Sequence, residues 1–273
     1  MIQKDISKLK TVMGKCNFSE KQLRKFISED QNQERYVFEL TQSGLLNNKN
    51  TSILIVGSGR GGLAINLLKK GYKVDNVEYN PCYCKIISWK LEKYKLKSKL
   101  INSAIEDFKS DKKYDIAIMM DVIEHVQDPT KALKVAHNLL KKDGKLYLTV
   151  PTRFQLIDPH YKLPLICFLP NKMADYILKK TGIFHYDKSA GMQSLSEMHY
   201  FSYGKFTKIA KKIGFNIIDM RKKEIFFPNR FIFKESQQKY YNMTKMFKQL
   251  KLTRFMLPLI RLFFGHKFIL VKQ

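Results

Sequence analysis

The sequence predicts an α/β fold built on a buried, mainly parallel sheet, and three observations predict it. Short, near-continuous apolar segments mark strands covered on both faces. Helical segments with their own start and stop residues separate them. The first strand–helix junction, ILIVGSGRGGLAINLLKKG from Ile53 to Gly71, passes through a glycine-rich turn.

Residues 1–50 are polar and helical in pattern, with Ser19 an N-cap ahead of EKQLRKFI, and make an N-terminal helical segment. Residues 51–273 form the main domain. TSILIVG is a strand and GGLAINLLKK a helix closed by Gly71; YKVDNVEY is the next strand, and a helix follows Pro81. SKLIN is a short strand and KYDIAIMMD a strong one. Pro129 opens the helix TKALKVAHNLLKK, and Gly144 turns it into the strand KLYLTV. After Pro151 the rhythm breaks. Two irregular insertions, at about 151–200 and 223–264, flank the helix KFTKIAKKIG and the strand FNIIDMR, and HKFILV is the last strand. Insertions at the carboxyl ends of such strands are where these folds place substrate recognition.

The length of 273 residues suffices for one large domain, and 44% apolar content excludes a disordered chain. The net charge of +26 favours anionic partners, whether nucleic acid, an acidic membrane or phosphorylated substrates. A Lys-rich solvated surface accounts for it equally well. Cys16, Cys82, Cys84 and Cys167 show no CxxC or zinc spacing, so no disulfide framework is expected and a reducing cytoplasm fits. The N-terminus lacks the apolar core of a signal peptide, and no apolar run reaches the ~20 residues that span a bilayer. In the basic C-terminal part, LTRFMLPLIRLFF is apolar but broken by Arg254, Pro258 and Arg261. It suits a segment lying on an anionic membrane, or a helix packing its apolar face on the domain. The expected location is cytoplasmic, with peripheral membrane contact through this part.

The glycine turn alone does not fix its ligand. No GK[ST] closes it, which excludes a Walker-type phosphate loop. Gly57, Gly59 and Gly62 fit GxGxxG, while Gly57, Gly59 and Gly61 fit GxGxG. Glu78, ending the next strand, stands where a carboxylate accepts from ribose hydroxyls.

The segment KYDIAIMMDVIEHVQDPTKALKVAHNLLKKDGKLYLTVPT resembles the class I S-adenosylmethionine-dependent methyltransferases. It is similar to the branch, including ubiquinone-pathway O-methyltransferases, whose fourth strand exits through [DE]xxEHV and whose fifth ends in TVP. MHYFSYGKFTKIAKKIGF matches that group's approach to the sixth strand. The resemblance implies a Rossmann-like seven-stranded sheet, mostly parallel with an antiparallel last strand and helices on both faces. It implies S-adenosyl-L-methionine as cofactor, with Gly57, Ser58, Gly59 and Gly61 against its methionine portion and Glu78 on the ribose. Ile105 and Glu106 would meet the adenine edge, and Asp121 and Val122 would line the sulfonium pocket. Two positions depart from the pattern: Ile55 and Ala104 stand where the family carries acidic residues.

Methyl transfer to oxygen needs an aligned acceptor and a base near neutrality, a task that suits histidine. Asp121, Glu124 and His125, at i, i+3 and i+4, are expected on one side of a helical turn. Three readings stand for them: His125 as general base, the trio as a divalent-cation site, or Glu124 and His125 bracing the cofactor pocket. The expectation carried forward is His125, Asp121 and His199 as catalytic residues, with no metal. His160, in DPHYKLP, is placed to contact substrate. The acceptor expected is a small, amphiphilic or lipid- or glycan-linked molecule. RNA 2′-O-methylation is the alternative, disfavoured by the scarcity of Arg. A non-catalytic interaction protein on the same fold is the third class.

Overall fold

The computed structural model describes every residue except Met1, Asn17, Pro159, Lys162, 183–192 and 229–237. Parts of both expected insertions therefore lie outside the described residues. A seven-stranded sheet in the order β3-β2-β1-β4-β5-β7-β6 forms the centre. Its strands are β1 (Ser52–Val56), β2 (Lys73–Glu78), β3 (Leu100–Asn102), β4 (Tyr114–Met119), β5 (Leu140–Val150), β6 (Phe215–Asp219) and β7 (His266–Lys272). All neighbouring pairs are parallel except those made by β7, which runs antiparallel to β5 and to β6. This is the Rossmann-like arrangement expected.

Apolar continuity explains the sheet's interior. Ile53, Leu54, Ile55 and Val56 of β1 are all buried, and each such side chain contributes ~1.5–3 kcal/mol on leaving water. One face is covered by α5 (Pro129–Leu139) and α7 (Tyr203–Ile213) through Ala132, Leu133, Ala136, Phe206 and Ala210. The other is covered by α2 (Glu20–Gln42), α3 (Gly62–Lys69) and α8 (Met220–Phe226) through Val37, Leu40, Leu63, Leu67 and Met220. The N-terminal segment is thus part of the domain core, with α1 (Ile2–Met13) and α2 packed against Ile86 and Trp89 of α4 (Pro81–Lys93).

Helix starts follow the caps in the sequence. Ser19 and Gln22 form a reciprocal capping box. Asn80 and Asp128 accept from the first turns of α4 and α5, each followed by Pro at the position where no amide hydrogen is needed.

The structure corrects three expectations. Helix α5 stops at Leu139, and the chain enters β5 at once: Leu140 pairs with Tyr114, and a register shift precedes the pairing of Lys145 with Ile116. The second insertion is helical where described, as α9 (Gln238–Gln249) and α10 (Thr253–Phe263), with Pro258 inside α10; α6 (Asn171–Lys180) lies in the first. A disulfide joins Cys16 to Cys82, with Cα atoms 6.0 Å apart, tying the α1–α2 connection to the start of α4. Spacing rules read nearby cysteines, and these are separated by 66 positions.

Candidate active site

The carboxyl ends of β1, β2 and β4 build the candidate cofactor side. Leaving β1, the chain turns through Gly57 to Gly61, with φ of +66° at Gly57 and +54° at Gly59, a region that disfavours side chains. A β-carbon on Gly57 would stand 2.3 Å from Val122 Cγ2, so the glycine lets the exits of β1 and β4 close on one another. A β-carbon on Gly59 would meet nothing within 4 Å: it points into open space. Ser58 faces inward, its hydroxyl donating to Asn76 Oδ1 at 2.8 Å.

Glu78 is buried beneath this turn. Its Oε2 accepts from the Gly59 amide at 2.7 Å and its Oε1 from the Asn80 amide at 2.8 Å. Burial raises its pKa above the ordinary value, and the backbone donors oppose that shift. Each oxygen keeps a second lone pair for a ligand hydroxyl. Ile105 packs its side chain into the core, and Glu106 accepts from the amides of Gln127 and Asp128 ahead of α5. Helix α2 lies over the turn: Glu29 pairs with Arg60 at 2.8 Å, and Gln33 crowds Gly62. Nothing in the sequence of α2 signals that role.

The β4 exit carries the candidate catalytic residues. Asp121 takes a left-handed backbone, φ +54°, and its carboxylate accepts from the Thr149 hydroxyl at 2.8 Å. The turn that follows is closed by the His125 amide donating to the Val122 carbonyl at 2.8 Å, and the Asp121 charge acts on both Glu124 and His125. Glu124 is buried, its Oε2 has no hydrogen-bond partner among the described residues, and burial lifts its pKa to about 7. His125 Nδ1 lies 2.9 Å from Gln193 Oε1, and the Gln193 amide donates to the His125 carbonyl. Desolvation lowers the imidazole pKa, so His125 is neutral near pH 7.

The structure brings His160, not His199, to this group. The rings of His125 and His160 meet edge to face at 5.1 Å between centroids. Asp158, fully buried, accepts from the His160 and Tyr161 amides and from the Tyr200 hydroxyl at 2.8 Å. Burial works against its charge, yet these donors and the His160 ring hold its pKa down at about 2. Ring nitrogens of His125 and His160 and an oxygen of Glu124 lie within 4.8 Å of one another, a donor set that a divalent ion accepts. His199 donates its backbone amide to the Glu124 carbonyl at 2.9 Å and lines an adjoining cavity of about 440 Å³ with Arg153, Phe154, Met198 and Tyr200. His160 and Gln193 sit in the first insertion, and only the fold shows that they reach His125.

A family model described as a methyltransferase domain matches residues 28–220, most of the chain. This chain belongs to the class I S-adenosylmethionine-dependent methyltransferases. The methyltransferase is 24% identical over 184 residues to a ubiquinone biosynthesis O-methyltransferase of Coxiella burnetii (strain RSA 331 / Henzerling II), covering 62% of this chain and 76% of that one. It is 29% identical over 100 residues to the protein of that name from Pelagibacter ubique (strain HTCC1062), covering 37% of this chain and only 42% of that relative. Among solved structures it resembles the magnesium protoporphyrin IX methyltransferase of Synechocystis PCC 6803 with bound SAH. The TM-score is 0.51 at 14% identity, over 94% of this chain and 88% of that one. It also resembles phosphoethanolamine N-methyltransferase 2 of Haemonchus contortus in complex with S-adenosyl-L-methionine, with TM-score 0.53 at 16% identity over 88% and 52%. These likenesses show a shared fold. The open space at Gly59 and the buried carboxylate of Glu78 fit S-adenosylmethionine: small backbone where the ligand approaches, and an acceptor for its hydroxyls.

Proposed function

We propose that the methyltransferase transfers a methyl group to an oxygen of a small amphiphilic or lipid-linked acceptor, with His125 as the base. When bound, S-adenosylmethionine supplies an electrophilic methyl on sulfonium. The observation that carries the reading is the state of His125, which is desolvated, neutral, and beside the glycine turn through Val122. With a carbonyl oxygen as partner, Nδ1 is the donor, which leaves Nε2 with a free lone pair to take the acceptor's proton. Asp158 and Tyr200 hold His160 against this ring. The apolar and basic lining of the adjoining cavity, with Phe154, Met198 and Arg153, suits an acceptor with a hydrophobic body and an anionic or polar head. The ubiquinone-pathway names of the relatives support the same acceptor class.

A second reading has one specific observation in its favour. The unpartnered Glu124 oxygen converges with His125 and His160, and a divalent ion there would hold the acceptor oxygen directly.

Tritiated-methyl transfer from S-adenosylmethionine into fractionated cell extract tests the acceptor. Counts in the lipid-soluble fraction support the reading, and counts confined to RNA contradict it.

A further inference from the structure

The helical pair α9–α10 leaves an apolar face uncovered. Met246, Leu250, Leu252, Phe255, Leu259 and Leu262 are all exposed, Phe255 by 75% and Leu250 by 57%. From Leu252 to Leu262 these positions recur at three- and four-residue steps, one stripe of a helix. The opposite side of α10 is the packed one, with Thr253 and Ile260 buried. A stripe of this kind is the mark of a binding surface rather than of scattered surface residues.

Its charge is equally one-sided. Between Ser236 and Gln273 the sequence contains no Asp or Glu. Lys245, Lys248, Lys251 and Arg254 are exposed around the stripe, and none makes an ion pair among the described residues. The third observation is place. Arg261 is clamped by Asp219 at the end of β6, with Nη2 to Oδ2 at 2.7 Å, and the Thr152 hydroxyl, just past β5, donates to the Leu262 carbonyl at 3.0 Å. Helix α10 is thereby fixed at the carboxyl edge of the sheet, the edge that carries the active site. The first insertion, joined to it through Thr152, exposes Ile157 and Leu165 as well.

We infer that the α9–α10 face docks the enzyme on an anionic phospholipid bilayer, with Phe255, Leu259 and their neighbours in the acyl–headgroup boundary and the lysines on the headgroups. An apolar stripe bordered by unpaired cations complements a negatively charged lipid surface and no other common partner so directly. Nucleic acid would use the cations but leave the stripe in water. Among the described residues no helix is long and apolar enough to cross a membrane, so the contact is interfacial. It places the acceptor cavity at the surface from which an amphiphilic molecule would enter.

Co-sedimentation of the full chain with vesicles tests this without measuring methyl transfer, so its failure leaves the transferase reading untouched. The probes are vesicles of phosphatidylcholine alone and of phosphatidylcholine with phosphatidylglycerol at about one part in three. The protein should pellet with the anionic vesicles, remain in the supernatant with the neutral ones, and be released at ~1 M salt. The double variant Phe255→Asp, Leu259→Asp, checked for an unchanged melting temperature, should lose binding. Lys251→Gln and Arg254→Gln should each weaken it about fivefold. No binding to anionic vesicles overturns the inference, as does binding that survives the double variant. Retardation of single-stranded RNA without vesicle binding overturns it too.

Discussion

Nδ1 of His125 and Oε1 of Gln193 lie 2.9 Å apart, and this pair couples the β4 exit to the first insertion. His125→Ala should lower turnover by ~10²–10⁴ while leaving S-adenosylmethionine affinity unchanged. Gln193→Leu should cost ~10-fold in kcat. The pH profile separates positioning from packing. A neutral base works above its pKa, so wild-type turnover should fall in acid, with a midpoint below the ordinary histidine value of 6.5. Gln193 favours the charged ring, so its loss should move that midpoint lower still. An unchanged midpoint would show that the pair has no bearing on the base.

The glycine turn gives two variants with opposite signatures. Gly57→Ala forces Val122 away and should destabilise the fold by ~1–3 kcal/mol. Gly59→Val finds no protein atom in its way and costs only backbone strain of ~1–2 kcal/mol, yet it fills the ligand's space and should abolish S-adenosylmethionine binding. Thermal melts and calorimetry read the two effects; unchanged binding in Gly59→Val would remove this turn from the site.

Most of the sheet was legible because its strands are continuous runs, and the caps at Ser19, Asn80 and Asp128 marked the helices between them. The boundary of α5 and β5 was not, because LLKKDG continues a helical pattern while the sheet captures Leu140 opposite Tyr114. Helix α10 was one of the two readings of LTRFMLPLIRLFF, despite Pro258 within it. In the site, the glycines, Glu78 and His125 are local motifs and could be read in order. The left-handed backbone of Asp121 is a feature that spacing does not reveal. His160, Asp158 and Gln193 reach the site through the folding of an irregular insertion, and the Cys16–Cys82 pair through the packing of α4 on α1 and α2.

Glu78 holds the glycine turn and is the carboxylate we propose for the ribose hydroxyls. Glu78→Gln keeps one acceptor for the Gly59 or Asn80 amide and presents an NH₂ to the other. Affinity for S-adenosylmethionine should fall by ~1–3 kcal/mol in calorimetry. A variant that titrates like wild type would place the ribose contact elsewhere.

Glu124 gives a stability test. Its native pKa of about 7 lies above the unperturbed 4.5, so the folded protein keeps a proton that the unfolded chain releases. That stabilisation is complete below about pH 4.5, declines as pH rises and is gone above about 7, a span worth at most about 3 kcal/mol. Glu124→Gln should flatten this slope in urea unfolding between about pH 4.5 and 7. A slope that persists would assign the titration to another group.

We propose base catalysis by His125 at a site that needs no metal. The measurement that tests it most directly is tritiated-methyl incorporation into the lipid-soluble fraction of cell extract, with enzyme pretreated by chelator. The chelated wild type should incorporate fully, and His125→Ala should lose ~10²–10⁴. Incorporation abolished by chelator and restored by Mg²⁺ or Mn²⁺ would contradict it and assign Glu124, His125 and His160 to a metal ion.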